Sequence, residues 1–177
     1  PPDTAHFASE IGWREFCWHL TFHNSDMYQK EFKPDWTGFP WRKENQPGVT
    51  EEVIAWQQGN TGIPLVDAGM RELWCTGFMH NRVRMVASSF LTKNLLIDWR
   101  IGEQWFWDTL VDADLASNAC NWQWVAGCGA DASPYFRIFN PALQSRKFDK
   151  ETLYIQHWIP ELNSVDQSDI HDAGLKM

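Results

Sequence analysis

From Pro64 onward the apolar residues Leu65, Ala68, Met70, Leu73 and Trp74 return at intervals of three and four and stop at Gly77, and no stretch of the chain alternates apolar with polar residues over the length of a strand. That pattern buries helix faces, not sheet faces, so the expected fold class is all-α. Further helices are predicted over 79–96, 102–111 and 115–125. An earlier one over 4–22 carries Phe7, Ile11, Trp13, Phe16 and Leu20, with Asp3 or Thr4 as its cap. Residues 34–50 hold Gly38, Pro40, Pro47 and Gly48 and are expected to form a long surface connection. Thr50-Glu51-Glu52-Val53 then reads as a cap with an acidic first turn, and Thr61-Gly62-Ile63-Pro64 closes one helix and opens the next. The segment 165–177 is polar and weakly patterned and is expected to fray. There is no internal repeat or low-complexity segment.

At 177 residues, 44% hydrophobic and 21% charged, the chain suits one folded domain with a sizeable core. Its net charge of -8 argues against a surface that is basic throughout, so any phosphate contact has to come from a local patch. Cys17, Cys75, Cys120 and Cys128 form no CxxC pair and no zinc spacing, which fits reduced thiols of an intracellular protein and no metal site. No apolar run reaches the roughly 20 residues of a membrane span. The chain opens at Pro1-Pro2-Asp3 without a methionine and is read as part of a longer protein. Twelve tryptophans are unusual for this length. Indole buries well, stacks on flat ligands and loses an electron easily, so these rings pack a core, grip an aromatic ligand or move electrons.

Four constellations carry possible chemistry. Asn81, Arg84, Met85 and Ser88 recur at three and four residues and share one helix face, which is either a solvated face or a wall that offers an amide and a guanidinium to a ligand rich in acceptors. Asp114 suits a helix N-cap, and Asp112 with it could accept hydrogen bonds from a ring system or ribose, or pair with Arg84. Asn118 and Trp122 lie four apart on one face, Asn121 and Trp124 three apart on the next, and Trp124 precedes small residues that cannot wall it off. Tyr135-Phe136-Arg137-Ile138-Phe139 joins aromatics to an arginine between Pro134 and Pro141, a device used at phosphate backbones.

Taken in order and spacing, Gly62-Ile63-Pro64-Leu65-Val66-Asp67-Ala68-Gly69-Met70-Arg71, Met79-His80-Asn81-Arg82-Val83-Arg84-Met85, Asp112-Ala113-Asp114-Leu115, Asn121-Trp122-Gln123-Trp124 and Tyr135-Phe136-Arg137-Ile138-Phe139-Asn140-Pro141 resemble the helical FAD-binding domain of the DNA photolyase and cryptochrome family. The resemblance covers about 9–162. It implies a partial FAD-binding and catalytic helical domain over 1–162, followed by a polar tail over 163–177. In relatives, the positions matched by Arg14, Asn81, Arg84, Asp112, Asp114 and Asn118 line FAD. Asn118 matches the position beside flavin N5, where plant cryptochromes carry aspartate and many animal ones cysteine, so an uncharged amide favours repair over signalling.

The same resemblance implies that Glu10, Trp13, Asn81, Met85 and Trp124 cradle a flipped-out cyclobutane pyrimidine dimer, with Glu10, Asn81 and Asn118 closest to the chemistry. Photolyases for six-four lesions place a histidine where this chain has Asn81. Arg82 and Arg137 are the implied DNA contacts, with Arg146 and Lys147 as further basic rim, and Trp122, Trp99 and Trp41 the implied electron relay. Phe78 stands where many relatives have tryptophan, and Asn121 where they often have glycine. The implied activity is light-driven dimer splitting by electron transfer from excited reduced FAD. The alternative is a cryptochrome-type blue-light receptor without repair activity. The implied partner is damaged DNA, bound by a monomer with no membrane attachment. A folate or deazaflavin antenna chromophore is expected only with an N-terminal α/β domain.

Overall fold

The structure is a computed structural model that describes residues 2–172. Nine α-helices run in the order α1 (Pro2–His23), α2 (Val49–Gln57), α3 (Pro64–Thr76), α4 (Asn81–Ser89), α5 (Trp99–Thr109), α6 (Leu115–Ala126), α7 (Pro141–Phe148), α8 (Leu153–Trp158) and α9 (Gln167–Ile170) among the described residues. The expected all-α class holds, since pairing of the extended kind is confined to one isolated bridge, Arg42 with Ile97, among those residues.

Local chemistry sets most of the boundaries. Pro64 opens α3 and Gly77, at φ 71°, closes it with its N–H on the Leu73 carbonyl. The His80 ring accepts from Arg82 N and caps α4, and Asp114 accepts from Ser117 N and caps α6. The predicted start of α5 at 102 is three residues late, because Asp98 accepts from Arg100 N and starts the helix at Trp99. Its end falls at Thr109 instead of 111, where Leu110 turns extended and Val111 N donates to the Gly77 carbonyl. Gly48, at φ 80°, occupies the N-cap of α2 that was expected of Thr50.

Three expectations are corrected. The helix predicted over 79–96 is α4 followed by a π-helical turn, Phe90–Asn94. No proline or glycine marks the change. From the wider turn the Lys93 ammonium reaches the carbonyls of Ala126 at 2.7 Å and Tyr135 at 2.6 Å, and burial pushes its pKa down. The connection over 34–50 is not wholly superficial. It contains a 3-10 turn at Pro34–Trp36 and buries Trp41, and Arg42 bonds Leu96 O and Asp98 N at the head of α5. The tail is folded over 165–172: Asp166 caps α9, Ile170 is wholly buried in the core, and Ser145 shares a 2.6 Å hydrogen bond with His171. One apolar residue at the right place outweighs the polar composition there. Residues 173–177, also assigned to the tail, lie outside the described residues.

The core joins α2 to α6 around Trp56, Trp99 and Trp122, with Met70, Leu73, Met79, Leu91 and Ile155 fully buried beside them. Packing is tight at Gly102, where a Cβ would lie 2.1 Å from the Trp122 ring and 2.7 Å from Leu91. Gly102→Ala is therefore expected to cost about 1–3 kcal/mol by overpacking, read as a lower urea midpoint with an unchanged slope. Helix α1 lies against α6 and contributes no residue to that central core among the described residues. Its other side leaves Phe7 and Phe22 largely exposed.

Candidate functional site

A cleft of about 510 Å³ opens between α1, α4, the 110–114 turn, α6 and the 129–131 loop. Its volume lies in the range of small-molecule and cofactor sites. Phe106, Leu110 and Trp122 give it an apolar floor, and Glu10, Trp13 and Arg14 reach it from α1. Asn81, Arg84 and Met85 come from α4, Asp112 and Asp114 from the turn, and Asn118, Asn121 and Trp124 from α6. Eleven of the candidate cofactor, substrate and relay residues thus share one cavity, although they are up to 114 positions apart in the chain (Glu10 to Trp124).

The polar groups are engaged in distinct ways. Arg84 donates through Nε to the Met79 carbonyl at 2.6 Å and through Nη2 to both oxygens of Asp112 at 3.0 and 3.1 Å. Asp112 thus forms the pair with Arg84 that the sequence allowed. Asp114 serves as the N-cap and also accepts from Trp18 Nε1 at 3.1 Å, which fastens α1 to the head of α6. Arg14 and Glu10 are exposed, paired with Glu15 and His6 at 3.1 and 3.4 Å. Trp13 stands edge-on to Phe16 at the mouth, more than half exposed.

Asn118 is nearly buried, and its Nδ2 donates at 2.9 Å to both the backbone carbonyl and Oε1 of Glu103. Sequence reasoning missed Glu103. The signal was present, because the buried positions of α5 are 99, 102, 103 and 106, an apolar stripe in which one member is a carboxylate. A charge there requires a partner, but the partner lies fifteen residues away on another helix. Burial raises the Glu103 pKa most, the Asn118 hydrogen bond opposes this, and Asp108 adds a smaller upward push.

A raised carboxylate favours folding below its unfolded pKa, and that contribution is lost as pH rises through the folded value. Glu103→Gln keeps an oxygen to accept from Asn118 and removes the charge. Its stability relative to the parent is therefore expected to rise from about pH 4.3 upward and then level off. Urea unfolding of both proteins across pH checks this, and a pH-independent difference would contradict it.

Arg82, Arg137, Trp99 and Trp41 are not on the cleft wall. Arg137 lies 5.9 Å over the Trp124 ring and donates to Ser133 O at 3.3 Å, while Arg82 lies 4.6 Å over Phe148 and contacts the Met85 sulfur at 4.0 Å. Both therefore flank cleft residues from outside. Phe136 and Tyr135 stand exposed beside Arg137. Of the three relay candidates, Trp122 touches the cleft and packs on Phe106 at 5.0 Å and Trp56 at 6.1 Å. Trp99 and Trp41 are buried, and the Arg42–Ile97 bridge joins the segments that carry them. Trp41 does not itself reach the surface, and the partly buried Trp36 stacks on it at 6.0 Å.

Residues 7–176 match the family model described as the FAD binding domain of DNA photolyase. The chain belongs to this family. A deoxyribodipyrimidine photo-lyase from Agrobacterium fabrum is 56% identical over 169 residues, covering 96% of this chain and 34% of that protein. The Escherichia coli deoxyribodipyrimidine photo-lyase is 49% identical over 168 residues, with 94% and 34% covered. Among solved structures, a class III photolyase from Agrobacterium tumefaciens superposes with a TM-score of 0.90 at 53% identity, covering 99% of this chain and 37% of that one. A Synechocystis cryptochrome superposes with a TM-score of 0.87 at 40% identity, with 97% and 34% covered. The chain spans about a third of the length of these photolyase relatives. No helix among the described residues is long and apolar enough to cross a membrane.

Proposed function

We propose that the cleft holds FAD and that the protein splits cyclobutane pyrimidine dimers in DNA. The observation that carries the reading is Asn118. On the cleft wall its amide nitrogen is held by Glu103, so Oδ1 remains as a fixed, uncharged acceptor above an apolar floor. The residues present fit the cofactor: Phe106, Leu110 and Trp122 suit a flat ring system, and Arg84 with Asp112 supplies a cation and carboxylate at one end. Arg14, Asn81 and Asp114 complete the cofactor set. Bound FAD, reduced and illuminated, supplies the electron that opens the cyclobutane ring.

The chain's own residues bind and orient. An acceptor at Asn118 suits a reduced flavin, which carries a proton at N5, better than an oxidised one, which does not. An aspartate there could donate a proton, and this amide does not. Trp13, Met85 and Trp124 at the mouth offer two flat rings and a soft thioether to an extruded pyrimidine pair, with Glu10 and Asn81 for its polar edges. Trp122, Trp99 and Trp41, each buried, are the oxidisable rings that would pass electrons to the flavin.

Repair of a dimer-bearing oligonucleotide under blue light with a reductant, above a dark control, tests the activity. Flavin binding without repair would favour the photoreceptor alternative. Arg137→Ala, which removes a cation beside Trp124, is expected to weaken binding to damaged DNA and to reduce the slope of log affinity against log salt by about one. An unchanged slope removes Arg137 from phosphate contact.

A further inference from the structure

Two cysteines meet where α1 lies against α6. The Cys120 sulfur is 4.0 Å from the Cys17 carbonyl oxygen, and the two thiols are close enough to shift each other's ionisation. Both line the cleft wall, so a small reagent that enters the cleft reaches them. The other two thiols are placed differently: Cys75 is exposed on α3, and Cys128 is buried against Gln123.

We propose that Cys17 and Cys120 are a thiol–disulfide modification site, at which a small-molecule disulfide closes a covalent link between α1 and α6. Closing an S–S bond of ~2.05 Å asks the two helices to bring the sulfurs together. Helix α1 can make that shift more easily than α6, because it adds no residue to the central core among the described residues.

The electrostatics assign roles. The neighbouring Cys120 thiol lowers the Cys17 pKa most and Ser117 lowers it further, while burial and Asp114 oppose them. The same thiol contact, with burial behind it, raises Cys120. Cys17 is therefore the attacking thiolate and Cys120 the resolving group. The Cys17 thiolate attacks one sulfur of the reagent and expels a thiolate. Cys120, losing its proton, attacks the Cys17 sulfur of the mixed disulfide and expels the second. The two protein thiols are oxidised by two electrons, and the reagent takes those electrons and both protons to become two thiols.

The test uses the 177-residue chain carrying Cys75→Ser, incubated with oxidised glutathione and mapped by mass spectrometry. The expected product lacks two hydrogens, carries a peptide link between Cys17 and Cys120, and unfolds at higher urea than before, an increase that dithiothreitol reverses. Adding Cys120→Ser is expected to stall the reaction at one glutathionyl group on Cys17, and adding Cys17→Ser to slow modification at least about tenfold. Retention of glutathionyl groups without loss of two hydrogens, a link through Cys128, or no reaction where the exposed Cys75 of the parent chain is modified would each overturn the proposal. The mapping of the Cys75→Ser chain decides the matter even if a second cysteine variant fails to fold.

Discussion

Urea unfolding of a Trp122→Ala variant is expected to show a loss of about 3–5 kcal/mol of stability, the scale found when a buried tryptophan is truncated. Against a typical domain stability of about 5–15 kcal/mol, that loss leaves part of the population unfolded in the weaker case. The indole is 2% exposed, closes against Phe106 and Trp56, and fills the space that Gly102 leaves open. Removing it opens a hole between three helices whose rigid neighbours cannot collapse into it.

Trp122→Phe separates packing from electron transfer. A phenyl ring restores most of the contact, and since the Trp122 Nε1 has no hydrogen-bond partner, no polar bond is broken. The phenylalanine variant is therefore expected to recover most of the stability. If Trp122 also hands electrons to a flavin in the cleft, the same variant loses light-driven flavin reduction, because phenyl is far harder to oxidise. A Trp122→Phe protein that photoreduces at the parent rate would remove Trp122 from the relay and leave the packing argument intact.

The second large effect is expected from Asn118→Asp. Glu103 now accepts a hydrogen bond from an amide at 2.9 Å, and the substitution sets a second carboxylate against it in a nearly buried position. Hydrogen bonds to a charged group are worth about 1.5–3 kcal/mol, and two close carboxylates cannot both remain ionised at low cost. A loss of about 2–4 kcal/mol is expected at pH 8. The pair should hold a proton well above the usual carboxylate range, and the penalty should shrink as acid supplies that proton. Unfolding measured between pH 4 and pH 8 checks the slope. A penalty independent of pH would mean that residue 118 turns away from Glu103. The result bears on the proposed function as well, since an aspartate that shares a proton offers the cleft a different hydrogen-bonding group from the amide.

Helices α3 and α6 were legible because caps and stops of plain chemistry bracket their apolar faces: Pro64 and Gly77, then Asp114 and Gly127. The gathering of Asn81, Arg84, Met85, Asp112, Asn118 and Trp124 in one cavity followed from the family pattern and not from periodicity, which says which face a residue occupies but not what it faces. Three features escaped for that reason. The π turn after Ser89 has no local marker, as its stabilising contacts at Ala126 and Tyr135 are more than thirty residues away. Glu103 carries no mark that sets it apart from other helix charges except its place in the buried stripe of α5, and its partner Asn118 lies on another helix. Ile170 sat in a segment whose average polarity concealed one buried side chain.

Gln123 has a wider consequence. Wholly buried in α6, it accepts from Phe32 N at 2.7 Å and donates to the carbonyls of Met27 and Lys30, so one amide measures out the strand of backbone that leaves α1. The two sides of the cavity are thereby set to a common gauge. Lengthening the chain by one residue between Met27 and Lys30 would misalign them.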